Sequence, residues 1–317
     1  MDHWARVLAV LTVSALAASA MAGQAKYEWE HDEGKSLTFR VDGKLLWKLN
    51  YAKAEGKPYF HPVCLPDGTC LTWHRPPDHI WHRGLWFSWK LINGLNYWEE
   101  NKQGLSQGRT EVETLAFEKA DSGATTIRMA VAYHPPDRPA ILTEQRLITI
   151  TAPDADGCYR MDWVQAFKAQ DKEVLLDRTP IQGEPGGKGW GGYAGLSFRS
   201  AKELTGYQVV NSEGQQGMAG HGKPCRWLDL SGVVGPERKP AGVAMFNHQV
   251  SERHPIPGYI IMRGHFGYIS PALLFKEPCR LPAGKTLTLC TRILIHPGPG
   301  DKARLDKEWE DYGAIEY

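Results

Sequence analysis

Short runs in which apolar and polar residues alternate recur along most of the chain, and they limit how it can fold more than any other feature. The clearest runs cover residues 37–41, 127–133, 161–167 and 287–293. A period of two is typical of strands with one buried face. Further short apolar runs lie at 243–246, 259–262 and 273–275. Together the runs predict about a dozen strands.

Turn residues and one helix complete this prediction. The 33 glycines and 21 prolines break the chain into short pieces, as a many-stranded fold requires. Only residues 301–312 predict a helix, because Asp301 follows a Pro-Gly-Pro-Gly stop and the segment is rich in Lys, Glu and Leu. We therefore expect an all-β protein: a large two-sheet antiparallel β-sandwich with a short C-terminal helix, forming a single domain over residues 23–317.

The amino terminus predicts export. Arg6 supplies a weak basic region, residues 7–18 an apolar run, and Ala20-Met21-Ala22 a signal-peptidase site. We expect cleavage after Ala22 and a periplasmic or extracellular protein without a membrane span; an uncleaved anchor is the alternative. The formal charge of +1, from 37 basic and 36 acidic residues, argues against nucleic acid as a partner.

Two pairs of cysteines flank predicted turns. Cys64 and Cys70 enclose Leu-Pro-Asp-Gly-Thr, and Cys279 and Cys290 enclose a second turn, so each pair could come within bridging distance. The other two cysteines have no evident mates.

Residues 73–100 concentrate side chains with useful chemistry. The stretch holds five of the twelve tryptophans and three of the twelve histidines. Within it, Asp78, His79, His82 and Arg83 lie within six residues of one another. An imidazole exchanges a proton near neutral pH, and a neighbouring carboxylate or guanidinium adjusts how readily it does so. The sequence therefore predicts a site here.

His79 and His82 have three interpretations. In an extended segment, residues three apart point to opposite faces, whereas a helical or 3₁₀ turn after Pro76-Pro77-Asp78 places both on one face. A metal site would need further ligands such as His61, Asp78 or His248, and no spacing specific to a metal is present. Acid–base or substrate contact is favoured over metal binding and over a structural role. The cofactor stays open, and no metal ligand is assigned.

The tryptophans divide into two groups. Trp86, Phe87 and Trp89 belong to a run that is apolar on both sides, which is typical of a buried central strand. Trp81 and Trp98 have polar neighbours and are candidates for a platform under a sugar ring.

Residues 183–195 include seven glycines in thirteen positions, and a strand pattern at 196–199 follows instead of a helix. This excludes a phosphate-binding loop and favours a loop that shapes a cleft. Glu184 is the predicted carboxylate partner of the histidines, with Glu99 in reserve; Tyr193 and Trp190 would line the cleft.

Two later segments add polar candidates. Asn247 and His248 end an apolar run, and Arg263 ends another, so all three could bind substrate oxygens at the rim of the fold. A serine hydrolase is disfavoured, because no G-x-S-x-G motif occurs.

Several segments carry a family resemblance. They are Y-F-H-P at 59–62, D-G-T at 67–69, D-H-I-W-H-R-G-L-W-F-S-W at 78–89, N-Y-W at 96–98, G-G-Y-A-G-L at 191–196, N-S-E-G at 211–214, R-W-L-D-L-S-G at 226–232 and the run 254–263. With them the chain resembles the exported bacterial family of unknown function labelled "methane oxygenase PmoA". The resemblance implies a soluble sandwich similar to sugar-processing supersandwich folds.

The favoured hypothesis is an exported enzyme acting on a glycoside or modified sugar, by hydrolysis, elimination or epimerisation. His79 or His82 would be the base or acid, Glu184 the second proton-transfer group, and Arg83 and Arg263 anchors for a small-molecule or oligosaccharide substrate. Asp78, Tyr193, Asn247 and His248 would complete the binding site, with Trp81 and Trp98 stacking on the ring. The alternatives are a non-catalytic glycan-binding module and a metal-dependent oxygenase, as the family label suggests.

Overall fold

The computed structural model of the protein describes residues 25–317, so the predicted signal peptide, residues 1–22, lies outside the described residues. Within that range the chain forms twenty strands, two 3₁₀ turns and one helix. In chain order the strands are β1 Tyr27–Asp32, β2 Ser36–Val41, β3 Lys44–Asn50, β4 Tyr59–Val63, β5 Leu85–Ser88, β6 Leu91–Ile92, β7 Leu95–Asn96, β8 Arg109–Lys119, β9 Thr125–His134, β10 Leu142–Ile150, β11 Tyr159–Ala169, β12 Val174–Asp177, β13 Gly195–Arg199, β14 Leu204–Asn211, β15 Trp227–Val234, β16 Lys239–Asn247, β17 Gly258–Arg263, β18 Phe266–Pro271, β19 Cys279–Leu281 and β20 Thr286–Pro297. The 3₁₀ turns are Lys53–Glu55 and Gly217–Gly220, and the helix α1 is Lys302–Gly313.

The strands form two large antiparallel sheets and one small sheet. The first sheet has the order β1-β2-β3-β4-β5-β13-β18-β17, and the second has the order β14-β15-β16-β20-β11-β10-β9-β8. A four-stranded sheet, β19-β12-β6-β7, lies beside them. The predicted β-sandwich is therefore confirmed, with the short sheet as an addition.

Aromatic side chains fill the space between the two large sheets. Phe60 on β4 lies against Trp163 on β11 with 5.7 Å between ring centroids, and Phe87 on β5 stacks on Phe167 at 5.0 Å. Their neighbours in the core are almost all aliphatic or aromatic. Removing this apolar area from water is the main force that holds the sheets together.

The central strands β5 and β13 of the first sheet are buried on both faces, and this positions the site. Phe198 and Ile260 point into the sandwich core, while the alternate positions on the same strands point to the other face. There Trp86, Tyr259 and Tyr268 belong to a second aromatic cluster. Strand side chains alternate between faces, so each strand contributes one set of side chains to the core and the other set to the outer cluster.

Most of the sequence-predicted elements are present. Strands cover the alternating runs, Trp86, Phe87 and Trp89 are fully buried, and α1 begins after Asp301, whose carboxylate accepts from the backbone N–H of Arg304 at 2.8 Å. The strand expected at 273–275 is wrong: this apolar run forms a turn, with the N–H of Phe275 donating to Ala272. It is apolar because it is buried, with Phe275 packed against Gly192 and Gly222.

One of the two suggested disulfides is present. Cys64 and Cys70 are bonded, whereas Cys279 and Cys290 are free thiols. The second pair lies in two different sheets, on β19 and β20, which explains why the turn between them does not bring the sulfurs together. Across residues 25–317, no helix is long and apolar enough to cross a membrane.

Candidate active site

A cavity of about 890 Å³ lies on the outer face of the first sheet. Its floor consists of strand residues, among them Arg199, Tyr259, Arg263, Phe266 and Tyr268. One wall is the segment from Trp73 to His82, and Trp98, Glu99, Trp190 and Tyr193 form a further part of the lining. The loops thus cover a strand surface instead of forming a site at one end of the sandwich.

His79 and His82 share one wall of the cavity because the chain turns tightly there. The N–H of His79 donates to Pro76 at 2.9 Å, and the N–H of His82 donates to His79 at 2.9 Å. These are i→i+3 bonds, so residues three apart lie on one face. The two imidazole centroids are 4.7 Å apart.

Gly84 allows the motif to pass close to its neighbours. Its φ is +84°, and a Cβ built there would lie 2.9 Å from the carbonyl oxygen of Phe60. A side chain would push the segment away from β4, because that contact is with backbone. The glycine after His82-Arg83 is therefore part of the geometry that holds the histidines.

Aromatic rings enclose the two histidines. The Phe266 ring lies 4.7 Å from the His79 ring, and the Trp86 ring lies 5.0 Å from the His82 ring. His82 also lies beside Tyr268, at 5.5 Å. His82 is buried and its Nδ1 has no hydrogen-bond partner, whereas His79 is half-buried and more accessible from the cavity.

This burial sets the charge of the imidazoles. Burial lowers the pKa of His82 well below its usual range, and positive charge on Arg199 and Lys57 adds to the effect. Burial also lowers the pKa of His79, against the opposing influence of Asp78. Desolvation disfavours the charged form of an imidazole. Both rings are therefore neutral near pH 7 and able to accept a proton.

Asp78 and Arg199 form an ion pair at the cavity floor. Nη2 of Arg199 donates to both carboxylate oxygens of Asp78, at 3.2 and 2.9 Å. The guanidinium carbon lies 3.7 Å from the centroid of the Phe266 ring and 5.2 Å from that of Trp73. Asp78 Oδ2 is also 3.1 Å from Nδ1 of His79, without the alignment of a hydrogen bond. An imidazolium at His79 would thus have a counter-ion in place.

Glu99 is the second carboxylate of the cavity. It accepts from the hydroxyl of Tyr193 at 2.5 Å and from Nδ2 of Asn96 at 2.6 Å, and Lys90 also donates to it. Burial alone would raise the pKa of Glu99, but the Lys90 charge and these hydrogen bonds lower it below its usual value. Glu99 is therefore a carboxylate, and its charge favours protonation of His79.

Seven of the eleven sequence-predicted site residues line this cavity, namely Asp78, His79, Trp81, His82, Trp98, Tyr193 and Arg263. Their functional roles stay predictions. The other four lie elsewhere.

Glu184 does not face the histidines, contrary to expectation. Its carboxylate accepts from Nη2 of Arg178 at 2.6 Å and from the N–H of Ile181 at 2.9 Å, within its own loop. Glu99, the reserve candidate, occupies the position in the cavity.

Asn247 and His248 lie against the C-terminal helix and not at the cavity. The carbonyl oxygen of Asn247 accepts from Nε1 of Trp309 at 3.0 Å, and the His248 ring packs 5.0 Å from the Tyr312 ring. The segment ends a strand of the second sheet, which has no part in the cavity.

Arg83 points away from the cavity. It is fully buried and donates to Glu55 and Glu100, each at 2.7 Å. The side chains of residues 82 and 83 project to opposite sides of the segment. The first therefore lines the cavity, whereas the second forms the buried ion pairs behind it.

The sequence prediction missed Arg199, Tyr259, Phe266 and Tyr268. The position of Arg199 next to Phe198, in the predicted strand 196–199, could have identified it. If the side chain of residue 198 points into the core, that of residue 199 points to the other face of the sheet. Without knowledge that this face is covered, a strand-end arginine is expected in solvent.

No group of three or more His, Cys, Asp or Glu side chains able to hold a metal ion occurs in the described part of the chain.

A sequence model described as a family of unknown function, DUF6807, matches residues 36–310. The chain belongs to this family. This match agrees with the resemblance to a family of unknown function that the sequence segments carry. The "methane oxygenase PmoA" label is not confirmed for this DUF6807 member. No curated protein sequence is significantly similar to it.

Two solved structures are similar to this DUF6807 chain. One is a Klebsiella pneumoniae protein, provisionally assigned as an aldose 1-epimerase, with 10% identity, 90% of this chain and 86% of that chain covered, and a TM-score of 0.45. The other is the Slr1438 protein of Synechocystis, with 9% identity, 87% and 96% covered, and a TM-score of 0.34. At these values neither likeness indicates what the cavity binds.

Proposed function

We propose that the protein is an exported enzyme that binds a carbohydrate in this cavity and removes a proton from one of its carbon atoms. The observation that carries this proposal is the pair of imidazoles, 4.7 Å apart, on the wall of an aromatic cavity of about 890 Å³. Clefts of this size that combine apolar walls with a few converging polar groups are the usual form of small-molecule sites.

The aromatic lining suits a sugar. Trp81, Trp98, Trp190 and Tyr259 present ring faces or edges to the cavity, and pyranose rings pack their C–H faces on such surfaces. Between these rings, Asp78, Glu99 and Arg263 supply acceptors and donors for hydroxyl groups.

The protonation states favour base-led chemistry over glycoside hydrolysis. Hydrolysis by paired carboxylates needs one carboxylic acid that stays protonated near neutral pH. Asp78 and Glu99, the carboxylates lining the cavity, both have a pKa below the usual value, because nearby cations outweigh the effect of burial. The cavity therefore offers ionised carboxylates and neutral imidazoles, which suits epimerisation or elimination.

His79 is the better placed base. It is more exposed to the cavity than His82, and Asp78 and Glu99 both stabilise its protonated form. In the proposed step, a C–H bond of the sugar breaks, its proton passes to the imidazole, and the electron pair stays on the substrate. The imidazolium then returns the proton, either to the carbon or to an oxygen whose bond to the adjacent carbon has broken. Protons and electrons balance without a further reactant.

Turnover of a glycan and uronide panel in deuterium oxide tests the proposal. Wild-type enzyme should yield a product, or recovered substrate, that carries deuterium at one carbon, detected by mass spectrometry and NMR. His79→Ala should lose at least about a hundredfold in rate, the usual contribution of a positioned acid or base. His82→Ala removes the buried ring that packs beside His79 and should lower the rate less. His31→Ala, an exposed histidine on the edge strand β1, is the matched control. Wild-type rates in both cavity variants would exclude the mechanism.

A non-catalytic glycan-binding module is the second candidate. The exposed ring of Trp190 at the cavity mouth favours it, since aromatic platforms are common to binding modules and enzymes. Saturable binding without any product or deuterium incorporation on long incubation would establish this candidate in place of the enzyme.

A further inference from the structure

The ionised groups that line the cavity are paired, with one exception. Asp78 is paired with Arg199, and Glu99 is paired with Lys90. Arg263 also lines the cavity, yet among residues 25–317 no carboxylate oxygen lies within 4 Å of its guanidinium nitrogens. The cavity thus has one positive charge that no acidic side chain balances.

Arg263 has an exposed side chain, and a hairpin fixes its main chain at the cavity. It is the last residue of β17 and is paired across the hairpin with Phe266, the first residue of β18. The turn between them contains Gly264 at φ +57°, and the hydroxyl of Tyr207 donates to the Gly264 carbonyl at 2.8 Å. The two-residue hairpin is thus tied by a hydrogen bond to β14 of the second sheet, which restricts its movement.

Arg263 is also close to the proposed base. Cross-strand partners project from the same face of a sheet, so the side chains of Arg263 and Phe266 are neighbours. The Phe266 ring in turn lies 4.7 Å from the His79 ring. Arg263 and His79 therefore both neighbour Phe266, which places a group bound at Arg263 on the same side of the cavity as the proposed base.

We infer that the sugar bound in this cavity carries a carboxylate, as a hexuronic acid does, and that Arg263 binds it. This inference rests on the proposed function and names its substrate class. A guanidinium matches a carboxylate with two parallel hydrogen bonds, which fixes orientation as well as charge.

A carboxylate at this position also explains how an imidazole can remove a carbon-bound proton. When the C–H bond next to the carboxylate breaks, the proton forms an N–H bond on His79, and the electron pair spreads into the carboxylate. The charge that develops there is stabilised by Arg263. The step ends with return of the proton to that carbon, or with loss of an oxygen substituent from the neighbouring carbon, formation of a C=C bond and transfer of the proton to the departing oxygen.

Matched pairs of sugars test the inference by binding alone. Methyl β-D-glucuronide and methyl β-D-glucoside differ only at C6, as do methyl α-D-galacturonide and methyl α-D-galactoside. Quenching of tryptophan fluorescence would give Kd for each sugar with wild-type protein. At least one uronide should bind about tenfold or more tightly than its neutral counterpart, as expected for a charge-assisted contact.

Variants then test whether Arg263 is responsible for the tighter binding of uronides. Arg263→Gln should remove the difference in Kd between each uronide and its neutral counterpart, and Arg263→Lys should keep part of that difference, because the charge remains and the bidentate geometry is lost. Arg280→Gln removes an exposed arginine on β19, outside the cavity, and should keep the full preference.

The other outcomes separate this inference from the proposed function. Equal binding of acidic and neutral sugars, or a preference that survives Arg263→Gln, overturns the carboxylate assignment and leaves the carbohydrate site in place. Tighter binding of D-glucose 6-sulfate than of any uronide overturns the carboxylate in favour of a sulfate ester. Absence of binding by every sugar overturns the proposed function, and the inference with it.

Discussion

Arg83 and Glu100 form a bidentate ion pair that joins the chain just after His82 to the chain just after Glu99. Nε of Arg83 donates to one carboxylate oxygen at 3.2 Å, and Nη2 donates to the other at 2.7 Å. Lys57 adds a third charge, with Nζ 3.2 Å from Glu100 and donating to the carbonyl of Trp98 at 2.8 Å. All three side chains are buried, so the proposed base and the cavity carboxylate share one internal support.

Breaking this pair should destabilise the whole protein. Glu100→Gln leaves the buried cations of Arg83 and Lys57 without this carboxylate, and such losses cost about 3–5 kcal/mol. Arg83→Gln should cost less, because Lys57 still pairs with Glu100. Urea unfolding, followed by tryptophan fluorescence, should show the midpoint falling at an unchanged slope. Lys307→Gln, which removes the exposed i,i+4 partner of Asp311 on α1, should leave the unfolding midpoint unchanged. Equal, small effects in all three variants would show that the buried network has no stabilising role.

The local pattern of the chain was enough to predict the long alternating strands, the helix and the clustering of polar side chains at residues 78–83. Trp86 and Phe87 illustrate why: a run that is apolar at every position needs two covered faces, and the first sheet has them. The 3₁₀-like turn that brings His79 and His82 together follows from the two prolines before Asp78, although the sequence left an extended alternative open.

Long-range placement was beyond the sequence. Glu184 and His248 have the right chemistry, but a loop ion pair with Arg178 and packing on Tyr312 hold them away from the cavity. Arg199 reaches the cavity only because β13 lies between β5 and β18 in the sheet order. No short-range pattern encodes which strands become neighbours.

Two histidines behind the cavity should make stability fall in mild acid. Burial lowers the pKa of His61 to about 4, and burial together with the Arg83 charge lowers that of His74 to about 3. In the unfolded chain both titrate near 6.5. As the pH falls from about 6.5 to about 4, the unfolded state takes up protons that the folded state does not, so the free energy of unfolding decreases.

Thermal midpoints at pH 7, 6 and 5 check this dependence. The midpoint should drop steadily for wild-type protein, and the drop should be smaller for the double variant His61→Gln with His74→Gln. The comparison concerns the slope with pH, because the double variant also loses contacts to Thr72 and Arg83. A double variant with an undiminished slope would place the proton uptake on other groups.

The two candidate carboxylates should differ in their effect on turnover. Glu99→Gln removes the charge that supports protonated His79 and should lower kcat/KM by about tenfold to a hundredfold. Glu184→Gln alters only a loop ion pair with Arg178 and should stay within about threefold of wild type. The substrate identified by the deuterium panel serves for both assays. If Glu184→Gln were the more damaging change, the loop would have to move toward the cavity during turnover.

The glycine-rich segment should tolerate a methyl group at one position and reject it at another. A Cβ at Gly191 would lie 2.1 Å from the carbonyl oxygen of Pro180 and 2.8 Å from that of Thr179. Both contacts are with backbone, so Gly191→Ala must shift the segment that carries Trp190 and Tyr193. We expect weaker sugar binding together with a lower thermal midpoint.

Gly189 provides the control within the same segment. Its nearest neighbour to a new Cβ is the side-chain oxygen of Gln182, at 3.7 Å, which is ordinary contact. Gly189→Ala should therefore keep sugar affinity and leave the midpoint unchanged or slightly raised, since alanine restricts the unfolded chain more than glycine does. Fluorescence titration and thermal unfolding of the two variants measure both properties. Unchanged affinity in Gly191→Ala would mean that Trp190 and Tyr193 contribute nothing to the bound sugar, because the substitution cannot be accommodated without displacing them.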